Sequence, residues 1–355
     1  MFDTWYGGPS SFLEHGNGSS LGQEYLINDA GDVSPVHGSV GGSSGGSSQS
    51  TQSSAPPAPT LVGTGGGFQI DLIWDSSVAN APSGFMQAVI DAAQYYTTLF
   101  SNRIVINIEV GWGEIAGSSM AANALGESES YGYVGNYYSL ITNALKQDGY
   151  SFTASNEPTS AQFWLNTAEA KALGLVSGST VGTSSLDGYI GFSSLSGTGY
   201  SWNFAASVSG SNSGTGANQF NLEAVAMHEI SEVMGRIEME GASVNGAKTY
   251  TPLDLFNFSS SGHLELSGGG GYFSTNDGAT KLGIYNDASA YSGDIADWAS
   301  VSSITQSATQ GLLKGYQDDY DAFAWPGANG EVSQADILED AALGYNLTIA
   351  GRNAA

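Results

Sequence analysis

Residues 224–240 read "AVAMHEISEVMGRIEME", and the stretch just before them, "NLE" at 221–223, completes a helical pattern. Leu222, Val225, Ala226, Val233 and Met234 recur at the spacing that puts them on one face of a helix. Asn221 can cap the first turn, Glu223 favours the positive end of the helix dipole, and Gly235 suits the left-handed exit. The spacing therefore predicts a helix over 221–235. His228 and Glu232, four residues apart, project from the same side one turn apart, with Glu229 beside His228. A negative charge at Glu232 falls in the last turn, where the dipole disfavours it, so a compensating cation is expected.

The polar residues form the string H-E-x-x-E-x-x-G-x-x-E, which opens as the zinc motif H-E-x-x-H does but carries Glu232 in place of the second His. His228, Glu232 and Glu238 are the candidate metal ligands, with Glu238 returning after a turn at Gly235. Glu229 is the candidate general base. One neutral His and two carboxylates cancel the charge of Zn2+, so the metal acidifies water less and more falls to the base. Zinc is favoured over calcium because an imidazole beside a base makes a poor calcium site. His263 in "SSGHLELS" is the rival third ligand, although its setting reads as an exposed hairpin turn. His15 and His37 lie in the N-terminal part, where His37 covering the metal is a weaker reading. Tyr250 is either an oxyanion donor or a packing tyrosine. The acidic run "QDDYDAF" (317–323), with Asp294 and Asp297 upstream, is either a structural Ca2+ site or a set of surface acids.

Outward from this stretch, the chain of 355 residues has 34 acidic against 8 basic residues, a net charge of −26. That balance argues against nucleic acid and anionic membrane surfaces as partners, both of which attract clustered Lys and Arg. There are no cysteines, which removes disulfides and thiolate metal sites, and the 50 glycines predict many turns and short strands. The 18 tyrosines suit strand-face packing or a carbohydrate-binding surface. No apolar run reaches the ~20 residues that span a bilayer. The N-terminus lacks the basic and apolar regions of a conventional secretory signal. An acidic, Gly-rich, Cys-free composition resembles that of bacterial type I secretion substrates and implies a secreted protein.

Residues 1–40 read as an N-terminal tail or pro-segment, and 41–66 as a disordered Gly/Ser/Pro linker. The body, 67–355, divides into an N-terminal subdomain (67–235) and a C-terminal one (236–355). It opens with a strand over 68–75, a helix over 81–101 capped by Ser83, and a strand over 103–115, a β-α-β unit expected to pair in parallel. Helices follow at 135–147 and near 167–174, strands at 187–194 and 200–205, then the helix already described. Short strands and Gly/Asn/Asp turns come next, and a helix over 332–346 capped by Ser333.

The string at 228–238 resembles the metzincin metalloprotease pattern H-E-x-x-H-x-x-G-x-x-H, with His228, Glu229 and Gly235 in register. More narrowly, "HEISEVMGR", "PLDLFNFS", "GYFSTNDGATKLGIYND", "GDIADWAS" and "SQADILEDAALGY" resemble a group of secreted bacterial proteins classed as metalloproteases, over roughly residues 68–346. The resemblance implies an α+β, metzincin-like fold: a mixed twisted sheet, an active-site helix, and a loop-rich C-terminal subdomain ending in a helix. It implies a zinc-dependent endopeptidase, expected as a monomer, in which a peptide lies extended along an edge strand, here "DGYIGFSS" (187–194). Glu232 departs from the pattern, and so does the lack of any Met after Met239, which leaves Leu253 or Leu255 to floor the site. The competing expectation is a non-catalytic secreted module on a degenerate metalloprotease fold, binding metal or carbohydrate.

Overall fold

The structure, a computed structural model, describes residues 21, 24–28, 33–35, 55–208, 214–268, 270–287, 293–299 and 318–355. The chain has a mixed α+β architecture built on a ten-stranded mixed sheet. The N-terminal residues supply β1 (Glu24–Asn28) and β2 (Val33–Pro35), and β3 (Thr60–Val62) precedes β4 (Gln69–Trp74). Helix α1 (Phe85–Leu99) then leads to β5 (Val105–Trp112). Strands β4 and β5 pair in parallel, with Ile70 opposite Ile106 and Leu72 opposite Ile108, as the β-α-β pattern predicts. Helix α1 buries Phe85, Val89, Ala92, Ala93 and Tyr96 at helical spacing. Its cap is Gly84 at φ 100, without a side-chain bond, so Ser83 does not cap it.

The expected linker extends too far. Strand β3 pairs antiparallel with β4, Leu61 facing Asp71, and Val62 is buried, so ordered body structure resumes by Thr60. The small hairpin β6 (Glu114–Ile115) and β7 (Ser118–Ser119) leads into β8 (Gly126–Gly135). Helix α2 (Tyr138–Gln147), β9 (Gln162–Asn166), α3 (Thr167–Ala172) and β10 (Gly188–Phe192) follow.

Strand β10 pairs with β5 on one side and β8 on the other. It is therefore an interior strand, and a peptide cannot add to it; the expected edge belongs to β8. Residues 126–130 of β8 pair with β10 and residues 132–135 with β9, while residues 129–133 also pair with β1. Because Glu129, Ser130, Gly132 and Tyr133 each have two partners, β1 must lie on the flank opposite both β10 and β9. The N-terminal segment thus closes the outer flank of β8, antiparallel to it, and β2 pairs onto β1. Leu26 and Ile27 fill opposite faces: Leu26 packs with Tyr131 and Tyr189, and Ile27 with Trp164, Ile237 and Met239.

Strand β11 (Ser201–Asn203) pairs in parallel with β12 (Gln219–Asn221), which runs directly into α4 (Leu222–Met234). Helix α4 packs between α1 and the sheet, chiefly β8 and β10, and every one of its residues is buried. Strands β13 (Ala242–Val244) and β14 (Ala247–Tyr250) extend the sheet beyond β9. Four short strands, β15 (Asn257–Ser260), β16 (His263–Leu264), β17 (Tyr272–Phe273) and β18 (Gly283–Ile284), form a separate small sheet. The chain closes with α5 (Gln334–Ala342), capped by Ser333 in a capping box with Asp336, and α6 (Ile349–Ala354). No helix among the described residues is long and apolar enough to cross a membrane.

Candidate metal centre

Helix α4 starts and stops as its sequence dictates. The Asn221 side chain accepts from the Glu223 amide at 3.0 Å. Gly235 ends the helix at φ 122, and a Cβ there would meet the Glu169 side chain at 3.2 Å. His228, 2 % exposed, packs against the turn at Asp319 and Tyr320. Its Nδ1 is 2.7 Å from the Asp319 carbonyl oxygen. A carbonyl only accepts, so Nδ1 carries the proton and donates. Nε2 then faces two carboxylate oxygens, Glu232 Oε1 at 3.2 Å and Asp297 Oδ1 at 3.1 Å. A lone pair against two anions is repulsive, so something positive belongs there: a second proton on the ring, or a cation.

Arg236 supplies part of that charge. Fully buried, it reaches Asp297 Oδ1 at 2.5 Å and Glu232 Oε1 at 3.2 Å, and donates through Nε to Ser231 Oγ at 2.7 Å. Its guanidinium lies 4.4 Å from the Tyr320 ring centre. Burial and the Arg236 charge both lower the His228 pKa, but Asp297 and Glu232 outweigh them, and it ends above the usual histidine value. Ser128 on β8 donates to Glu232 Oε2 at 2.8 Å. Asp297 Oδ2 is buried with no hydrogen-bond partner.

Glu229 turns toward the sheet and is completely buried. It sits over Gly126 of β8, where a Cβ would come within 1.9 Å of Glu229 Oε1. Gly126, Ser128 and Ser130 alternate along the face of β8 that α4 covers; small residues there let the helix approach closely. Glu229 and Glu232 therefore both abut the stretch of β8 that lies beside and just beyond the end of β1.

Glu238 does not join His228 and Glu232. It is buried with Asn257, whose amide donates to Glu238 Oε2 at 3.0 Å and to Glu240 Oε1 at 3.2 Å. Burial, then Asp254, Glu240 and Glu339, raise the Glu238 pKa well above the carboxylate range. Spacing alone would return the chain beneath the helix after Gly235; instead it runs alongside Ile27 and toward β13. The third member of the group is Asp297, from a distant loop. His263 lies exposed on its hairpin, 3.1 Å from Ser155 Oγ, as its turn setting implied. Tyr250 packs on Phe163, with ring centres 6.2 Å apart, and its environment is that of a packing tyrosine. Leu253 and Leu255 are both buried in the main core. His15, His37 and Gln317 lie outside the described residues.

Close by, the acidic run resolves into a second group. Asp318 and Asp319 come together with Asp336 from the first turn of α5, one carboxylate oxygen of each within 4.8 Å of the others, and all three are buried. Asp294 enters neither group. The two groups meet at Asp319, whose carbonyl holds His228 and whose side chain belongs to the acidic set. No family model, curated protein or solved structure matches the chain.

Proposed function

We propose that the chain is a zinc-dependent endopeptidase of metzincin-like fold, with His228, Glu232 and Asp297 as the metal-holding side chains and Glu229 as the base. The observation that carries this reading is His228: one ring nitrogen is committed to a carbonyl, and the other is aimed at two carboxylate oxygens. A metal-bound histidine is oriented in this way by a carbonyl partner. The separations of 3.1 and 3.2 Å match the ~3.3 Å between ligand atoms around a tetrahedral zinc with bonds of ~2.0 Å. Asp297 Oδ2, buried without a hydrogen-bond partner, is a second oxygen that a cation could engage.

When bound, zinc would act as a Lewis acid on the scissile carbonyl. Arg236 withdraws charge from both carboxylates, so the pair neutralises the metal less than two free carboxylates would. Glu229 would take a proton from the attacking water and hand it to the leaving amine. The peptide would extend β8 along its outer flank, the flank on which β1 lies. Residues 24–28 accordingly read as a resident strand in the substrate path, which makes a pro-segment the better of the two expectations for the N-terminal part.

The competing reading, a non-catalytic module, draws on Arg236, which already balances Glu232 and Asp297 without metal. Zinc content and casein hydrolysis on the full chain, with and without residues 1–40, separate the two. The enzyme reading requires about one zinc per chain. It also requires Glu229→Gln to retain zinc while hydrolysis falls ~10²-fold or more. A metal-free parent, or parent-like hydrolysis by Glu229→Gln, would overturn it.

A further inference from the structure

We propose that Asp318, Asp319 and Asp336 form a second cation site, for calcium, that braces the turn holding His228. The site does not depend on the zinc reading. Asp336 spends its carboxylate on structure: Oδ1 accepts from Trp298 Nε1 at 2.7 Å and Ser333 Oγ at 2.8 Å, and Oδ2 accepts from the Ser333 amide at 2.5 Å. Asp318 Oδ1 accepts from the Tyr320 amide at 2.9 Å. Asp319 differs. It is only 6 % exposed, neither of its carboxylate oxygens has a hydrogen-bond partner, and one of them points into the group formed with Asp318 and Asp336. Asp321, 3 % exposed, leaves Oδ1 without a partner on the same turn.

Among the described residues, no Lys, Arg or His forms an ion pair with any of these four acids. A buried carboxylate with neither a donor nor a cation is strongly disfavoured. Two states relieve it, a shared proton or a metal. The donors are all oxygen, which selects a hard cation. Three atoms mutually within 4.8 Å can share a centre no more than ~2.8 Å away, which a contraction of a few tenths of an ångström brings to the ~2.3–2.6 Å of calcium. Magnesium demands ~2.0–2.1 Å and a stricter octahedron. Asp318, Asp319 and Asp321 also line a small pocket together with His228.

The consequence is positional. A cation on the Asp319 side chain fixes the same residue's carbonyl, 2.7 Å from His228 Nδ1. Calcium would then set the imidazole's orientation without touching it.

The test uses the full chain stripped of metal, titrated with CaCl2 alone and then with MgCl2 by calorimetry, with melting curves in calcium and in EDTA. We expect one calcium site, at least ~10-fold weaker for magnesium, and at least ~10-fold weaker for calcium in Asp319→Asn. Because Asp319 makes no side-chain hydrogen bond, its Asn variant should fold. It should melt higher than the parent in EDTA, where a buried charge has been removed, and lower than the parent in calcium. Asp277→Asn, whose carboxylate belongs to neither group and is bonded to Ser151 and Thr153, should bind calcium like the parent. No calcium uptake by the parent, or an Asp319→Asn variant that binds calcium equally well, overturns the proposal. So does a variant more stable than the parent by the same margin in both media, which identifies a proton-sharing pair. None of these readouts uses zinc or hydrolysis, so the peptidase reading stands or falls separately.

Discussion

The two buried carboxylate groups on either side of Asp319 differ in one respect. Glu232 and Asp297 have a cation of their own, because Arg236 is folded into the group and fully buried. Asp318, Asp319 and Asp336 have none among the described residues. The first group can persist without a metal, its negative charge shared with a guanidinium and an imidazole. The second relies on protons or on an ion from solution. A cluster of acids in a fold is thus not one kind of object; the presence of a resident positive charge decides how much it needs a ligand.

The comparison is broken most severely at Arg236. Arg236→Met should lower the stability of metal-free protein by about 3–5 kcal/mol, since two buried carboxylates lose their partner. Zinc should recover much of that loss. Denaturant melts with and without zinc measure it, and an equal deficit in both would mean that no metal enters this group. Next in size is the identity of the third ligand. Asp297→Ala should release zinc, since two ligands rarely hold it tightly, whereas Glu238→Gln should keep parent zinc content because its carboxyl lies with Asn257 and Glu240. The reverse result would restore Glu238 as ligand.

Gly126→Ala sharpens the placement of Glu229. The new methyl would overlap its carboxylate, so hydrolysis should fall at least ~10-fold with a loss of ~1–3 kcal/mol in stability. A variant matching the parent in both would move Glu229 away from β8. The smallest effect is a pH trend. Burial raises Glu127 and Glu129 to about 7 and Glu240 to about 8. Unfolded, these groups titrate near 4.5. Between those values the native state holds more protons than the unfolded one, so stability falls as pH rises. Melting temperature in EDTA should therefore decline from pH 5 to pH 8. A rising or flat profile would mean that these carboxyls are ionised at low pH in the fold.

Much of the frame was legible because apolar spacing carried it. Ile70, Leu72 and Trp74, the α1 stripe from Phe85 to Tyr96, and Ile106 to Val110 announce their elements, and Asn221 and Gly235 bound α4. Strand β8 was illegible. "GESESYGYVG" alternates small and acidic residues, because one face lies under the helix that carries His228 and only tight packing fits there. The edge was accordingly assigned one strand too far along, to β10. At the site, His228, Glu229 and Glu232 follow from helical periodicity. Asp297 does not, since a side chain from a loop has no spacing to obey, and Glu238 lies in register instead. Arg236 stood in plain sight within "HEISEVMGR" but reads as a surface charge until burial is known. Strand β3 at Thr60 was hidden by the Pro- and Gly-rich residues on either side of it.

Strand β1 is joined to the rest of the sheet only through the chain between Pro35 and Thr60, the next described paired strands. While that connection is intact, β1 meets the flank of β8 within one molecule, so its pairing does not depend on protein concentration. A cut in the connection would leave β1 held to β8 by pairing alone, at the concentration of the protein itself. Occupancy of the flank then becomes a matter of dilution, so one cleavage event would change the state of the edge without altering any residue that contacts it.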